Sequence, residues 1–399
     1  MKTICIAGKN EIAVNALNYL KDSYPDFNYL VITNKTDDGI NNWQPSLSFT
    51  AKKLNIKEVT LPEVYNIEDL IFLSLEFDLL IKPSLFKSNS LFNIHFSALP
   101  KFKGMYTSVL PILFAETSSG VTLHKIDKGI DTGDIINQII FPINESTTCK
   151  DLYQLYLDNS FVLFKKNIKS LIENNYLSSS QNSQQSSYFS KKSIDFSDVR
   201  IDLNKTAFEI HNQFRAFTFR EYQLPKFKDW NIYKTKITQT KSEFKSGTII
   251  HEDDRNFILS TVDYNIILYK DYYDILWDTC RDGLYEQVAS ILKHIPNINL
   301  RNKKGWNALI ISVYNNHPKV AELLINYSPH NSGDIDSSNY KGTTVIMYAF
   351  SCYKNTGDDT MMKLILSFSP DLYKRDETGR NIFDYAENDD RALRLLNKE

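Results

Sequence analysis

Cysteine is scarce in this 399-residue chain. The four present (Cys5, Cys149, Cys280, Cys352) lack metal-ligand spacing. That excludes a zinc ribbon or a disulfide framework, so no metal and a reducing, cytoplasmic setting are expected. Excess charge is also missing. A net charge of −2 is too small for the broad cationic surface that holds nucleic acid through many phosphates, and no nucleic-acid partner is expected. No apolar run approaches the ~18 residues of a membrane span. The apolar core of the opening "MKTICIAGKN" is too short for a signal peptide, so no membrane partner is expected either. Glycine is sparse where a dinucleotide site would need it: the first strand–helix turn, "AGKNEIAV", has Gly8 alone and no GxGxxG.

What is present is enough apolar residue, 42% of the chain, for two or three buried cores. "KTICIAG", "FNYLVITNK" and "EFDLLIK" read as strands, and "NEIAVNALNYLKDSY" between the first two has helical spacing. Alternating strands and helices predict an α/β domain with a mostly parallel sheet, whose ligands sit at the carboxyl ends of the strands. "DLLIKPSLF" and "FNIHFS" also read as buried strands. The polar, Ser- and Gln-rich "LSSSQNSQQSSYFSK" is a loop or linker. Beyond it, a helical "KTAFEIHNQFRAFT" and four short strand-like runs end near Lys270. The expected domains are therefore 1–180, 190–270 and 271–399, the middle one small and β-rich.

Two residues apart on a strand, Asn93 and His95 point to one face. An amide and an imidazole aimed together are a candidate for chemistry. Downstream, "KGIDTGD" holds Asp131 between Gly129 and Gly133, which permit tight turns and close approach of a ligand. Lys9 and Asn10 open the first helix, where a cation and backbone N–H groups suit a phosphate.

The pairing of "NIHFSALP" with "GVTLHKIDKGIDTGDII" resembles the formyltransferase family that uses 10-formyltetrahydrofolate. The resemblance covers the first half of the chain and implies a Rossmann-like catalytic domain, with the small β-rich domain as its C-terminal partner. It implies catalytic roles for Asn93, His95 and Asp131, as hydrogen-bond donors to a developing oxyanion and as acceptors of the amine proton. How the base role divides between His95 and Asp131 stays open at this level. It also implies a folate pocket around Ile81, Lys82, Pro83, His124, Asp127 and Gly129.

Family members act on methionyl-tRNA, glycinamide ribonucleotide or nucleotide-linked amino sugars. The small net charge argues against tRNA, and the second half of the chain argues against the one-domain glycinamide enzymes. The sugar type remains, with a dTDP-amino-dideoxysugar as acceptor. The 3-amino-3,6-dideoxyglucose form is preferred over the 4-amino form, with a role in surface polysaccharide such as O-antigen. Tyr222 is expected to stack the thymine, and Lys9, Asn10 or Arg215 to meet the pyrophosphate. Phe217 and His211 are expected to be structural, and a homodimer is expected through the small domain. A reading of another class, an ankyrin binding protein with an inactive transferase domain, is disfavoured because Asn93, His95 and Asp131 occur together.

In the last third, Gly305, Gly342 and Gly379 recur every 37 residues (342 − 305 and 379 − 342). The pattern resembles ankyrin repeats, whose usual period is about 33 residues. The extra residues are expected in "SPHNSGDIDSSNY" and "SCYKNTGDD", with "LWDTCRDGLYEQVASILKHIPNINLRN" as a partial first repeat. Trp306, with Lys304 and Tyr340 near, is a candidate second nucleotide-sugar site through stacking and charge-assisted hydrogen bonds.

Overall fold

Six consecutive buried residues, Thr3–Gly8, form β1, an interior strand of a seven-stranded sheet. In a computed structural model that describes residues 2–328 and 330–397, the chain runs through α1 (Asn10–Ser23), β2 (Asn28–Thr33), α2 (Leu47–Lys53), β3 (Lys57–Glu58) and α3 (Leu61–Val64). There follow β4 (Leu70–Leu75), β5 (Leu91–His95), β6 (Lys103–Gly104), α4 (Leu110–Leu113), β7 (Ser118–Lys125), β8 (Ile135–Pro142) and α5 (Cys149–Ile172). The strand order is β3-β2-β1-β4-β5-β7-β8. From β3 to β5 the pairs are parallel, and β7 and β8 join antiparallel. Sequence order reverses between β1 and β4, so the crevice outside their carboxyl ends is the expected ligand position.

At that crevice Gly8 pairs with Leu75. A Cβ on Gly8 would lie 1.9 Å from the Leu75 carbonyl oxygen, so β1 and β4 close together only over a glycine. Gly8→Ala is expected to destabilise the fold by about 1–3 kcal/mol, the usual cost of overpacking. Urea unfolding should show a lower midpoint with an unchanged slope.

Two elements depart from the sequence reading. The strand expected at "EFDLLIK" ends before it, since β4 is the preceding run Leu70–Leu75 and Glu76 turns the backbone at φ 56°. "DLLIKPSLF" is likewise not a buried strand. It runs as a loop into a short 3-10 turn at Pro83–Leu85, with Leu79 and Leu80 exposed. A short apolar run cannot by itself separate core strand from cleft wall. The long helix α5, opened by a Thr148/Asp151 capping box, was not singled out from the sequence.

After β9 (Tyr188–Phe189) and α6 (Ala207–Ala216) comes a five-stranded antiparallel sheet of order β10-β11-β14-β13-β12. Its strands are β10 (Lys226–Phe227), β11 (Trp230–Lys241), β12 (Ile249–Glu252), β13 (Asn256–Leu259) and β14 (Tyr264–Lys270). Ile210 and Phe214 of α6 pack on Ile232, Phe257, Leu259, Ile266 and Leu268. These residues belong to one compact unit with the large sheet.

Asn41–Trp43 and the residues from Asp271 onward form the second unit. Its described residues hold four helix pairs: α7 (Tyr273–Asp282) with α8 (Tyr285–Leu292), α9 (Ala308–Tyr314) with α10 (Pro318–Asn326), α11 (Val345–Thr356) with α12 (Thr360–Ser367), and α13 (Ile382–Ala386) with α14 (Asp390–Leu396). The stretch "LWDTCRDGLYEQ" supplies the first pair. Of the extra residues, part lengthens α11 to 12 residues against 7 in α9. The "SPHNSGDIDSSNY" stretch follows α10, and its Pro329 lies outside the described residues. The periodic glycines adopt φ of 78–82°. At Gly305 a Cβ would come within 2.6 Å of the Tyr340 ring, which is how one repeat's turn sits on the next.

Candidate active site

The side chains from the carboxyl ends of β4, β5 and β7 face a cleft of about 450 Å³ that includes Ser74, Glu76, Asn93, His95, His124 and Asp131 in its lining. Strand alternation puts Asn93 and His95 on the same side, and the antiparallel pairing of β5 with β7 sets Asn93 directly opposite His124. Asp131 reaches this cluster from the loop between β7 and β8, with a left-handed backbone at φ 55°. The Gln181 amide fixes that loop by donating to the Asp131 and Gly133 carbonyls at 2.9 and 2.7 Å.

Hydrogen bonding determines which nitrogen of each imidazole carries a proton. His95 Nε2 lies 2.9 Å from the Phe102 carbonyl. A carbonyl only accepts, so Nε2 donates. In a neutral ring Nδ1 is then the basic nitrogen, and it sits 3.5 Å from Asp131 Oδ2. That distance gives electrostatic contact without a strong hydrogen bond and leaves Nδ1 able to take a proton. By the same logic His124 Nδ1 donates to the Lys125 carbonyl at 2.7 Å. Its Nε2 then accepts from the Asn93 amide at 3.1 Å.

Asn93 Nδ2 also donates to Asp131 Oδ1 at 3.2 Å. Both amide hydrogens are therefore engaged, and serving a substrate oxygen means exchanging one of these bonds. Asp131 Oδ2 accepts from Gly104 N–H at 2.9 Å. Burial raises the Asp131 pKa, but the adjacent His95 ring, the His124 ring and the Gly104 N–H together hold it well below the usual carboxylate range. A carboxyl held this low keeps its negative charge at neutral pH.

Of the residues expected to hold folate, Ile81, His124, Asp127 and Gly129 line the cleft. Asp127 Oδ1 braces its own loop by accepting from Gly129 N–H at 3.0 Å and from Thr132 Oγ1 at 2.6 Å. Lys82 and Pro83 are a correction: they lie outside the cleft lining, at the start of the 3-10 turn. Leu79 and Leu80, exposed in the same loop, line it instead. With Ile126 and Ile130 opposite, these apolar walls fit a flat heterocyclic ligand, and the volume is that of an ordinary small-molecule site.

Among the residues expected to hold the nucleotide, Lys9 lines the cleft. The Asn10 side chain is committed elsewhere, donating to Tyr153 Oη at 3.1 Å and to both Glu76 oxygens at 3.3–3.4 Å. Arg215 is a further correction. It is buried, and it donates to Asn212 Oδ1 at 2.9 Å and to the Asn144 and Thr147 carbonyls at 3.1 and 3.0 Å. It ties α6 to the loop before α5 and is not aimed at the cleft. Tyr222 is exposed, with its ring edge-on to Phe219 at 4.7 Å. Phe217 is buried, and His211 bridges Thr235 Oγ1 and the Glu145 carbonyl, both as the sequence predicts for structural residues.

In the second unit Trp306 is half-buried against Tyr314 and Tyr348, with ring centroids 4.9 and 5.3 Å away. Lys304 Nζ stands 5.9 Å from its ring, and Tyr340 lies over Gly305 with Arg301 5.8 Å from its own ring. The large aromatic at a turn is thus explained in part by packing between neighbouring helix pairs. Among the described residues, no group of His, Cys, Asp and Glu has metal-binding geometry, and no helix is long and apolar enough to cross a membrane.

Comparison with known proteins agrees with this geometry. Residues 43–165 match the formyl transferase family, residues 193–270 the formyl transferase C-terminal domain, and residues 276–376 ankyrin repeats. The crystal structure of WlaRD, a sugar 3N-formyl transferase in the presence of dTDP and 5-N-formyl-THF, is 51% identical. It aligns with a TM-score of 0.63 over 68% of this chain and 98% of its own. The N-formyltransferase from Helicobacter canadensis, in complex with folinic acid and dTDP-3-aminofucose, is 49% identical with a TM-score of 0.63, over 68% of this chain and 100% of its own. A methionyl-tRNA formyltransferase of Clostridioides difficile (strain 630) is 31% identical over 180 residues, 44% of this chain. The chain spans only 57% of the length of that curated relative.

Proposed function

This chain belongs to the formyltransferase family, and from that premise we propose that it transfers the formyl group of 10-formyltetrahydrofolate to the amine of a dTDP-linked amino-dideoxysugar. One observation carries the reading. His95 Nδ1 stands 3.5 Å from a carboxylate that Asn93 and Gly104 also hold, in a cleft at the carboxyl end of the sheet. Neighbours about half identical over their whole length are, by their descriptions, a sugar 3N-formyl transferase and an N-formyltransferase with a dTDP-sugar bound. That weighs more than a 31% match over part of a tRNA enzyme. The preferred acceptor is dTDP-3-amino-3,6-dideoxyglucose and the alternative its 4-amino isomer. The product would enter surface polysaccharide such as O-antigen, and the working form is a homodimer.

In this mechanism His95 Nδ1 removes a proton from the attacking amine and returns it to the departing folate nitrogen. Asp131 stays ionised and stabilises the imidazolium formed in between. Asn93 turns one amide hydrogen onto the formyl oxygen as negative charge develops there. The Phe102 carbonyl and the His124–Asn93 contact hold the two groups in place. Leu79, Leu80, Ile126 and Ile130 shield the reacting atoms from water. The test is formyl transfer by purified protein offered 10-formyltetrahydrofolate with each sugar isomer and with methionyl-tRNA. Turnover with the tRNA alone, or with none of the three, overturns the reading.

The proposal extends to the repeats, which on this reading hold a second nucleotide-sugar that tunes the enzyme. The Trp306–Tyr314–Tyr348 cluster, with Lys304 beside it, supports this, as does a hollow of about 320 Å³ that Tyr348, Lys354 and Tyr385 help to line. Such tuning requires that occupancy change the kinetics. Trp306→Ala is expected to lower the calorimetric stoichiometry of dTDP-sugar from two per chain to one. Equal stoichiometry and unchanged kinetics would remove the second site.

A further inference from the structure

At the crevice where strand order reverses, β1 is followed by Lys9 and Asn10 and β4 by Glu76. The β4–β5 pairing ends at Ser74↔Asn93 and Leu75↔Ile94, so Glu76 turns off just past β4, at the same end of the sheet as His95. Both residues line the cleft. The Glu76 carboxylate accepts from Tyr153 Oη at 2.9 and 3.0 Å and from the Asn10 amide. These donors are neutral. Among the described residues no cation lies within ion-pair distance of it, whereas Asp131 already has two imidazoles. The cleft thus contains one carboxylate set against two imidazoles and a second that is held in place by neutral donors and has no counter-ion. A dTDP-sugar amine is cationic until it is deprotonated, and it must reach this same end of the sheet.

We propose that Glu76 receives the ammonium of the acceptor sugar as its missing counter-ion and takes the first proton from it. The proposal rests on the functional reading above and assigns a residue that reading does not use. Glu76–COO⁻ and R–NH₃⁺ become Glu76–COOH and R–NH₂. The amine then forms its bond to the formyl carbon as the bond from that carbon to the folate nitrogen breaks. The second amine proton travels through His95 to that nitrogen, and the Glu76 proton leaves to solvent with the products. One proton is released per turnover, and charge balances.

Burial raises the Glu76 pKa to about 7, against the lowering pull of Tyr153, Lys9 and Asn10, with Glu11 adding to the rise. The groups facing it are Lys9 on the first turn, Glu11 on α1, Tyr153 on α5 and Tyr222 beyond α6, and His95 lines the same cleft. A carboxylate base of this kind works only when ionised. The wild-type kcat/KM for the amino sugar should therefore fall as pH drops through about 7. It should also decline above the amine's own pKa, where the ammonium partner is lost.

The experiment is the pH profile of kcat/KM at saturating 10-formyltetrahydrofolate for wild type, Glu76→Gln and Tyr153→Phe, with calorimetric binding of 5-formyltetrahydrofolate confirming that each variant is folded. Glu76→Gln is expected to lose at least about 100-fold at neutral pH and to climb about tenfold per pH unit to a plateau, since it must wait for free amine. Tyr153→Phe removes the leading pull on Glu76 and should move the acid limb to higher pH. A Glu76→Gln profile of wild-type shape, or a kcat/KM within threefold of wild type, overturns the proposal. If Glu76→Gln does not fold, an unmoved limb in Tyr153→Phe overturns it instead. Absence of turnover in the wild type with every amino sugar is different: it removes the functional reading itself.

Discussion

His95→Asn is expected to lower kcat for formyl transfer by at least about 100-fold, or about 2.7 kcal/mol of barrier, while folding and folate binding persist. The substitution is chosen for what it preserves. An Asn amide can still donate toward the Phe102 carbonyl that now receives His95 Nε2 at 2.9 Å. It has no basic nitrogen to offer where Nδ1 stood 3.5 Å from Asp131. The loss falls on the transition state, so kcat and kcat/KM should drop together with KM little changed. Steady-state kinetics with dTDP-amino sugar, beside calorimetry with 5-formyltetrahydrofolate, separates these quantities. Turnover within a factor of a few of the parent would mean that another group moves the amine proton.

Asp131→Asn should be comparably damaging, about 10²- to 10⁴-fold in kcat, because it removes the charge that stabilises the imidazolium. The amide also presents an N–H toward Gly104 N–H or Asn93 Nδ2, where the structure supplies donors. This variant has a second signature. The Asp131 pKa is depressed in the folded protein relative to the ordinary 3.8, although burial opposes the shift. A depressed carboxylate contributes stability that is complete above the unfolded pKa and is lost as pH falls below it toward the folded value. Wild type should therefore lose stability more steeply than Asp131→Asn on acidification from about pH 4. Urea midpoints at a series of acidic pH values measure the difference. Parallel curves would mean that Asp131 is not held as a charge by its neighbours.

Much of the candidate site was legible because it is local. Asn93 and His95 are separated by the strand period, and the glycines around Asp131 announce a tight loop whatever surrounds it. The ankyrin repeats were legible for a related reason, since a turn that recurs every 37 residues leaves its spacing in the chain. The cleft wall was not legible. Leu79 and Leu80 have the composition of a strand, and only the turn at Glu76 and the sheet ending at Leu75 put them on the surface.

Charged residues were the hardest to read, because what a charge does depends on partners that sequence distance hides. Arg215 has the chemistry of a phosphate ligand, but carbonyls 71 and 68 positions away take its guanidinium. Asn10 sits where a phosphate would be expected, but Glu76 and Tyr153, 66 and 143 positions away, claim its amide. The sequence by itself determined which side chains are chemically able and which alternate or recur together, because those properties follow from residue type and the period of the backbone. Only the tertiary structure decided which carboxylate lies against histidines and which faces the cleft without a counter-ion. Desolvation and Coulombic coupling act through space over a few ångströms, and the chain encodes that proximity only once strands and helices have packed.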